Sequence, residues 1–323
     1  MSEFFPDESQ FDPADNAEID LVQTWPDGFR AGFVAIVGRP NAGKSTLTNA
    51  MVGQKVAIMS DRPETTRRAI RGVVHREDGQ IVLVDTPGLH RPRTLLGERL
   101  NEMVNETLAD VDLVVVCLPA DEKIGPGDRF VTERAFETNR PVIAAITKRD
   151  RVDRGTLTEK LIAVDQMGEW AAIIPTSGTR GTQVDDLVTL LLEHLPESPP
   201  LYPASAVSDE SDEAMIAEFV REAALEGVRD ELPHSIAVVV EEMNEKPRKD
   251  GGTTLFIYAS MYVERESQKS IVIGRRGERL RRIGSEARAQ IEERLGRPVY
   301  LDLHVKVAKD WQRDPKKLGR LGF

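Results

Sequence analysis

The stretch Phe33-Val-Ala-Ile-Val37, followed without a break by Gly38-Arg39-Pro40-Asn41-Ala42-Gly43-Lys44-Ser45, decides how this chain is read. The apolar residues predict a buried strand, and the loop after them spells G-x-x-x-x-G-K-S. A helix-compatible run from Thr46 to Val52 follows and stops at Gly53. Strand, glycine loop and helix in that order are the context in which this pattern cradles a phosphate. The loop residues Gly38, Arg39, Pro40, Asn41, Ala42 and Gly43 offer backbone N–H groups, and the helix start at Lys44, Ser45 and Thr46 faces the same anion. Lys44 is placed to reach the β- and γ-phosphates of a nucleotide, and the Ser45 hydroxyl to ligate Mg²⁺.

At 323 residues the chain has room for two domains, each with its own core. No apolar run approaches the roughly 20 residues that span a bilayer. The single cysteine, Cys117, excludes an intrachain disulfide, which fits a reducing cytosol. Inside the apolar run Leu113–Leu118 it reads as a small buried hydrophobe. The formal net charge of −11 argues against non-specific coating of nucleic acid. That charge is uneven: Thr253–Phe323 holds 16 Lys+Arg against 9 Asp+Glu, an excess of +7 that leaves −18 on the rest. An acidic body with a basic tail is an asymmetry of function as well as composition.

Residues 1–28 contain no Lys or Arg and eight acids, which predicts a disordered acidic arm. The arm lacks the basic start and apolar core of a signal peptide. Over residues 29–197 short apolar runs alternate with amphipathic segments, with strands expected at 33–37, 69–75, 80–84, 111–118, 142–147 and 171–175. Asp78-Gly79 reads as a tight hairpin turn, so the second and third strands pair antiparallel. Helical segments separate the others, as a doubly wound, mostly parallel α/β sheet requires, with ligands at the carboxyl ends of the strands.

Those strand ends carry the chemistry. Asp85-Thr86-Pro87-Gly88 places a carboxylate for the Mg²⁺ shell and, at Gly88, an N–H to meet a γ-phosphate. Thr147-Lys148-Arg149-Asp150 ends in an acid able to accept from guanine N1 and N2 and left unpaired against adenine. The backbone of Ser177 and Gly178 is placed for guanine O6. Between the phosphate loop and Asp85 runs a polar loop, Ser60–Arg68, whose hydroxyls can complete the Mg²⁺ shell. Each tetrapeptide alone is weak; four in the correct order, each ending a strand, are strong.

Together these elements resemble the translation-factor-type GTPases. The wording GRPNAGKS, ETTRR and DTPGLH is similar to the Era/EngA/TrmE branch. The resemblance implies GTP and GDP as ligands of these loops, Leu89 included, with Ser45, Asp85 and Thr66 (in preference to Thr65) on Mg²⁺. It also implies that Asn41 helps hold K⁺ in cation-stimulated members. Two departures stand out: Thr147 occupies the usual Asn position, and Gly178 the usual Ala position. No glutamine follows Gly88; an apolar Leu89 cannot orient an attacking water, so unaided hydrolysis is expected to be slow. His90 reads either as a base or as an exposed loop histidine.

Residues 198–211, entered through the prolines from Pro196, predict a semi-stiff linker to a second domain over 212–323. There a helix from Asp212 to about Glu231 is expected, then strands at 235–243 and 253–263 joined by a polar loop, Asn244–Gly252. Gly274-Arg275-Arg276-Gly277, a helix to about Leu295 and a strand at 298–307 complete an order that resembles a type II KH domain. The glycines let single-stranded RNA approach, with Ile271, Ile273, Leu280 and Ile283 lining a groove for bases. Arg275, Arg276, Arg279, Arg281 and Arg282 supply charge. Trp311 reads as core in preference to a base-stacking residue. With Glu231-Leu-Pro233, Ile283–Arg288 and Lys309-Asp-Trp311, residues of about 29–323 resemble the Era members of that branch. A second phosphate loop, which EngA needs, is missing, and the KH domain excludes TrmE. The resemblance implies a monomer that binds near the 3′ end of 16S rRNA and assists maturation of the 30S subunit in the cytoplasm. It also implies peripheral association with the inner face of the membrane in some members, for which the sequence shows no lysine-rich amphipathic helix. Two other readings stay open: an RNA-binding protein with a structural, barely hydrolysing nucleotide site, and a regulatory GTPase acting through a protein partner.

Overall fold

Strand β1 (Arg30–Val37) is the centre of a six-stranded sheet in the order β2-β3-β1-β4-β5-β6. The others are β2 (Ile70–His75), β3 (Gly79–Asp85), β4 (Leu113–Pro119), β5 (Val142–Thr147) and β6 (Ala172–Pro175). This computed structural model describes residues 25–60, 65–89, 92, 94–226, 232–248 and 252–323. The acidic arm therefore lies outside the described residues as far as residue 24. Only β2 is antiparallel to its neighbour, through the turn at Asp78-Gly79, where Arg76 donates to the Gly79 carbonyl at 2.8 Å.

Alternation along β1 sends Val34 and Ile36 to one face and Ala35 and Val37 to the other, and both faces are covered. Helices α1 (Lys44–Val52) and α5 (Val184–His194) pack on the first, while α2 (Leu95–Ala109), α3 (Pro126–Phe136) and α4 (Arg154–Asp165) pack on the second. Cys117 is fully buried in this sheet, and burial pushes its thiol up to about 12, so it acts as a hydrophobe. The segment 198–211 lies along the exposed edge of β2. Gln80 accepts from the Leu201 and Tyr202 N–H groups, Val73 donates to Val207, and Ser208 bridges to Gly72.

The second domain folds α6 (Asp212–Leu225), α7 (Leu232–Ser235), β7 (Ala237–Pro247), β8 (Thr253–Val263), α8 (Glu266–Ile273), α9 (Glu278–Leu295) and β9 (Val299–Val307). Its sheet is β7-β8-β9, with β8 and β9 parallel. Leu255, Ile257, Met261 and Val263 of β8 meet Phe219 and Val220 of α6 and Ile283, Ala287 and Ile291 of α9 in one core. Two expectations need correction. Helix α6 ends at Leu225, with 227–231 outside the described residues. The polar stretch from Asn244 is strand as far as Pro247, because cross-strand pairing with Thr253–Phe256 outweighs its polar composition. The tail forms a last helix, α10 (Pro315–Arg320). Leu96 and Leu100 of α2 pack with Ala237, Tyr262, Trp311, Leu318 and Leu321, so the two domains share a small apolar cluster. Ile58, before the Ser60–Arg68 loop, is buried in the second domain's core. Among the described residues no helix is long and apolar enough to cross a membrane.

Candidate nucleotide and RNA sites

The phosphate loop closes because Gly43 turns left-handed at φ 91°, leaving a gap in which an added Cβ would lie 3.4 Å from the Thr147 side chain. Lys44, buried, donates to the carbonyls of Gly38 and Arg39 at 3.3 Å each, and burial lowers its pKa. Ser45 Oγ donates to Asp85 Oδ2 at 2.6 Å and lies 3.0 Å from Thr66 Oγ1, which itself donates to Asp85 Oδ2 at 3.3 Å. Thr65 instead turns its hydroxyl to the Ser60 carbonyl. Asp85 is fully buried, and desolvation raises its pKa to about 6 against the pull of Lys44, Ser45 and Thr66. Its Oδ1 has no hydrogen-bond partner among the described residues. Two hydroxyls and a carboxylate with an orphaned oxygen are the hard-oxygen donors that suit Mg²⁺.

Gly88 packs against the phosphate loop only because it has no side chain: a Cβ would lie 2.8 Å from the Pro40 nitrogen. Its neighbours do not face the cleft. Thr86 donates to the Ile36 carbonyl at 2.8 Å, and Leu89, 2% exposed, is core. His90 lies outside the described residues.

At the other end Thr147 Oγ1 donates to the Ala42 carbonyl at 2.6 Å, tying the two loops together. Ser177 Oγ donates to Asp150 Oδ1 at 2.6 Å, which holds that carboxyl below its usual range and aims it. The Gly178 Cβ position is 2.8 Å from the Thr46 carbonyl, so an alanine here requires a shift. One open cleft joins these ends, lined among others by Pro40, Asn41, Gly43–Thr46, Thr66, Gly88, Thr147, Lys148, Asp150 and Gly178. Arg39 turns away to Asp128, at 3.0 Å, and to Glu122, and the Arg149 N–H goes to the Thr176 carbonyl at 3.1 Å. Ser60, the first residue of the polar loop, lines the cleft too, as do Met59, Arg151 and Thr179, which no motif in the sequence marks.

In the second domain Gly274 (φ 72°) and Gly277 (φ 77°) make the tight turn that opens α9. Beside it an open groove is lined by Gly277, Leu280, Arg281, Gly284, Ser285, Arg288, Tyr300, Leu301 and Leu303. Arg275, Arg276, Arg281 and Arg282 are exposed. Arg279 is engaged elsewhere: it donates to the Ala224 and Glu226 carbonyls at 3.2 and 2.9 Å, closing the end of α6. Ile283 is fully buried in the core and does not line the groove, whereas Ile271 is 52% exposed and Ile273 half-buried. Tyr300, 50% exposed, was readable from the alternation of β9, which points even positions outward. Trp311 is fully buried and donates to the Ser235 carbonyl at 3.1 Å, so it is core.

Residues 33–148 match a family model described as "50S ribosome-binding GTPase", and residues 231–312 match one described as "KH domain". GTPase Era of Streptomyces coelicolor is 62% identical over 303 residues, covering 91% of this chain and 95% of the relative. GTPase Era of Nocardioides sp. is 59% identical over 301 residues, covering 91% and 96%. A crystal structure of Era in complex with MgGDPNP and nucleotides 1506–1542 of 16S ribosomal RNA superposes with a TM-score of 0.86. It is 38% identical, with 91% of this chain and 99% of that one covered. An Aquifex aeolicus Era variant bound to GDP·AlF4⁻ gives 0.87 at 37% identity over the same shares. The chain belongs to the Era family of GTPases.

Proposed function

We propose that this chain hydrolyses GTP as a switch and, in its GTP state, binds a single-stranded segment near the 3′ end of 16S rRNA to assist maturation of the 30S subunit in the cytoplasm. The meeting of Thr66 with Ser45 and Asp85 carries the reading, because it brings the loop that carries Thr66, switch I in this reading, onto the phosphate loop. Ser45, Thr66 and Asp85 would hold Mg²⁺, which, when bound, neutralises charge developing on the transferred phosphoryl group. Lys44 adds a fixed cation beside the β- and γ-phosphates, and the backbone N–H groups of the loop orient them. Gly88, in the segment after β3 that is switch II in this reading, presses on Pro40, so its N–H can follow the γ-phosphate and release with it. Asp150, aimed by Ser177, selects guanine. Leu89 in the core leaves no side chain at that position to orient water, which supports slow unaided turnover.

The test is GTP turnover in Mg²⁺, in K⁺ and in Na⁺, for the wild-type chain and for Gly88→Ala. Measurable turnover is expected in the wild type. The variant should lose about 100-fold or more in kcat while its GDP affinity holds within about threefold, since GDP needs no contact from Gly88. No turnover in either cation would favour the structural nucleotide holder. A Gly88→Ala protein as fast as wild type would overturn the role given to switch II.

A further inference from the structure

Arg67 follows Thr66 in the chain, yet its side chain leaves the nucleotide domain. It is 1% exposed, and its Nη1 donates to the Ile236 carbonyl at 2.6 Å. The guanidinium lies 5.8 Å from the Trp311 ring and 6.0 Å from the Phe323 ring, and those rings stack on one another at 5.6 Å. On the other side of Thr66, the Thr65 carbonyl accepts from Nη2 of Arg221, a buried guanidinium on α6 that Glu218 also holds. Both sequence neighbours of Thr66 are thus gripped by the RNA-binding domain, while Thr66 itself turns back to Ser45 and Asp85. A guanidinium buried without such a seat is costly. Separating the domains would empty that socket and free the backbone on both sides of Thr66 from its holds.

We propose that Arg67 is a positioning residue for GTP hydrolysis: its seat in the KH domain sets the backbone at Thr66, so the Thr66 hydroxyl reaches the Mg²⁺ site only with the two domains docked. This rests on the GTPase reading above. The RNA-binding domain is then a structural part of the hydrolytic site as well as the element that site controls. GDP asks nothing of Thr66, so the two nucleotide states draw differently on the socket.

The test uses the full chain with Trp25 and Trp170 replaced by Phe, so that Trp311 alone fluoresces, and compares it with Arg67→Gln in the same background. Three quantities are read: kcat for GTP, affinity for GDPNP and for GDP with Mg²⁺, and the change in Trp311 emission between the GDP and GDPNP states. Arg67→Gln should lower kcat about tenfold or more and weaken GDPNP, leave GDP within about twofold, and erase the nucleotide-dependent Trp311 change. Arg67→Lys keeps the charge but loses the planar fork, so it should restore these only in part. Phe323→Ala removes one wall of the socket without touching switch I and should act in the same direction, more weakly. Unchanged kcat and an unchanged Trp311 response in Arg67→Gln and Phe323→Ala would overturn the proposal and leave Arg67 as adhesive between domains. A wild-type chain without turnover would instead sink the GTPase reading, and GDPNP affinity with the Trp311 signal would still judge the seat of Arg67.

Discussion

Thr147 shows how a single side chain decides whether a departure from pattern costs function. Its hydroxyl spans only one bond beyond Cβ, yet it meets the Ala42 carbonyl at 2.6 Å, because the bare Gly43 lets the two loops close on each other. The short side chain therefore ties the Thr147–Asp150 loop to the phosphate loop, and on the proposed function guanine and phosphate recognition share one strut. Thr147→Val keeps the shape and deletes the donor, leaving a buried carbonyl unpaired at a cost of about 1–3 kcal/mol. Both ends of the cleft loosen equally in the two nucleotide states. GDP and GDPNP are expected to weaken together, about tenfold each, by calorimetric titration. A loss confined to one nucleotide, or no loss, would mean that the strut does not govern binding.

Helix α9 and the turn that opens it separate two jobs that their arginines share on paper. Arg275 and Arg276 project from the turn between the two glycines and are exposed, whereas Arg279 closes α6 through two carbonyls. Arg275→Asp with Arg276→Asp should cut RNA affinity and flatten its salt dependence, with the melting temperature held. Arg279→Ala should instead destabilise the domain by about 1–3 kcal/mol, read as a lower melting temperature, before any loss in RNA contact. If Arg279→Ala weakens RNA at unchanged stability, its carbonyl contacts are incidental. This division also marks what the sequence could carry. The glycine loops, Asp85 and Asp150 were legible because few residue types can do that chemistry at a strand end. Ile283 was misplaced in the groove because helical spacing gives an apolar stripe without saying which part of it the sheet covers. Arg279 read as part of the charge offered to RNA because its acceptors are main-chain groups 53 and 55 residues earlier, which no pattern reveals. The strand character of Asn244–Pro247 was hidden for the same reason: its partners on β8, and not its own polar side chains, make it a strand.

At the scale of the molecule, both nucleotide-sensing segments end on the KH domain. Switch I arrives through Arg67 at Ile236, Trp311 and Phe323. The helix after switch II, α2, arrives through Leu96 and Leu100 in the cluster with Trp311 and Leu318, and through Arg99, which donates to the Phe323 carbonyl at 2.6 Å. Two independent attachments to one tail hold both segments against the KH domain, so on the proposed reading ordering the switches and docking the domains go together. The groove beside Gly277 is built on α9, whose other face packs in the same core as Ile58. RNA and the γ-phosphate should therefore be linked, and linkage is reciprocal: whatever factor GDPNP gives RNA affinity, RNA must give GDPNP affinity. A factor of about 5–150 is the usual range for such coupling. Affinity for a single-stranded RNA matching the 3′ end of 16S rRNA should be measured with GDPNP, with GDP and without nucleotide, and the GDPNP affinity measured again with RNA bound. Tighter RNA binding with GDPNP and an equal gain in the reverse experiment are expected. Equal RNA affinity in all three states would keep the KH module and reduce the GTPase domain to a scaffold, while no binding in any state would mean that the groove beside Gly277 serves something other than this RNA.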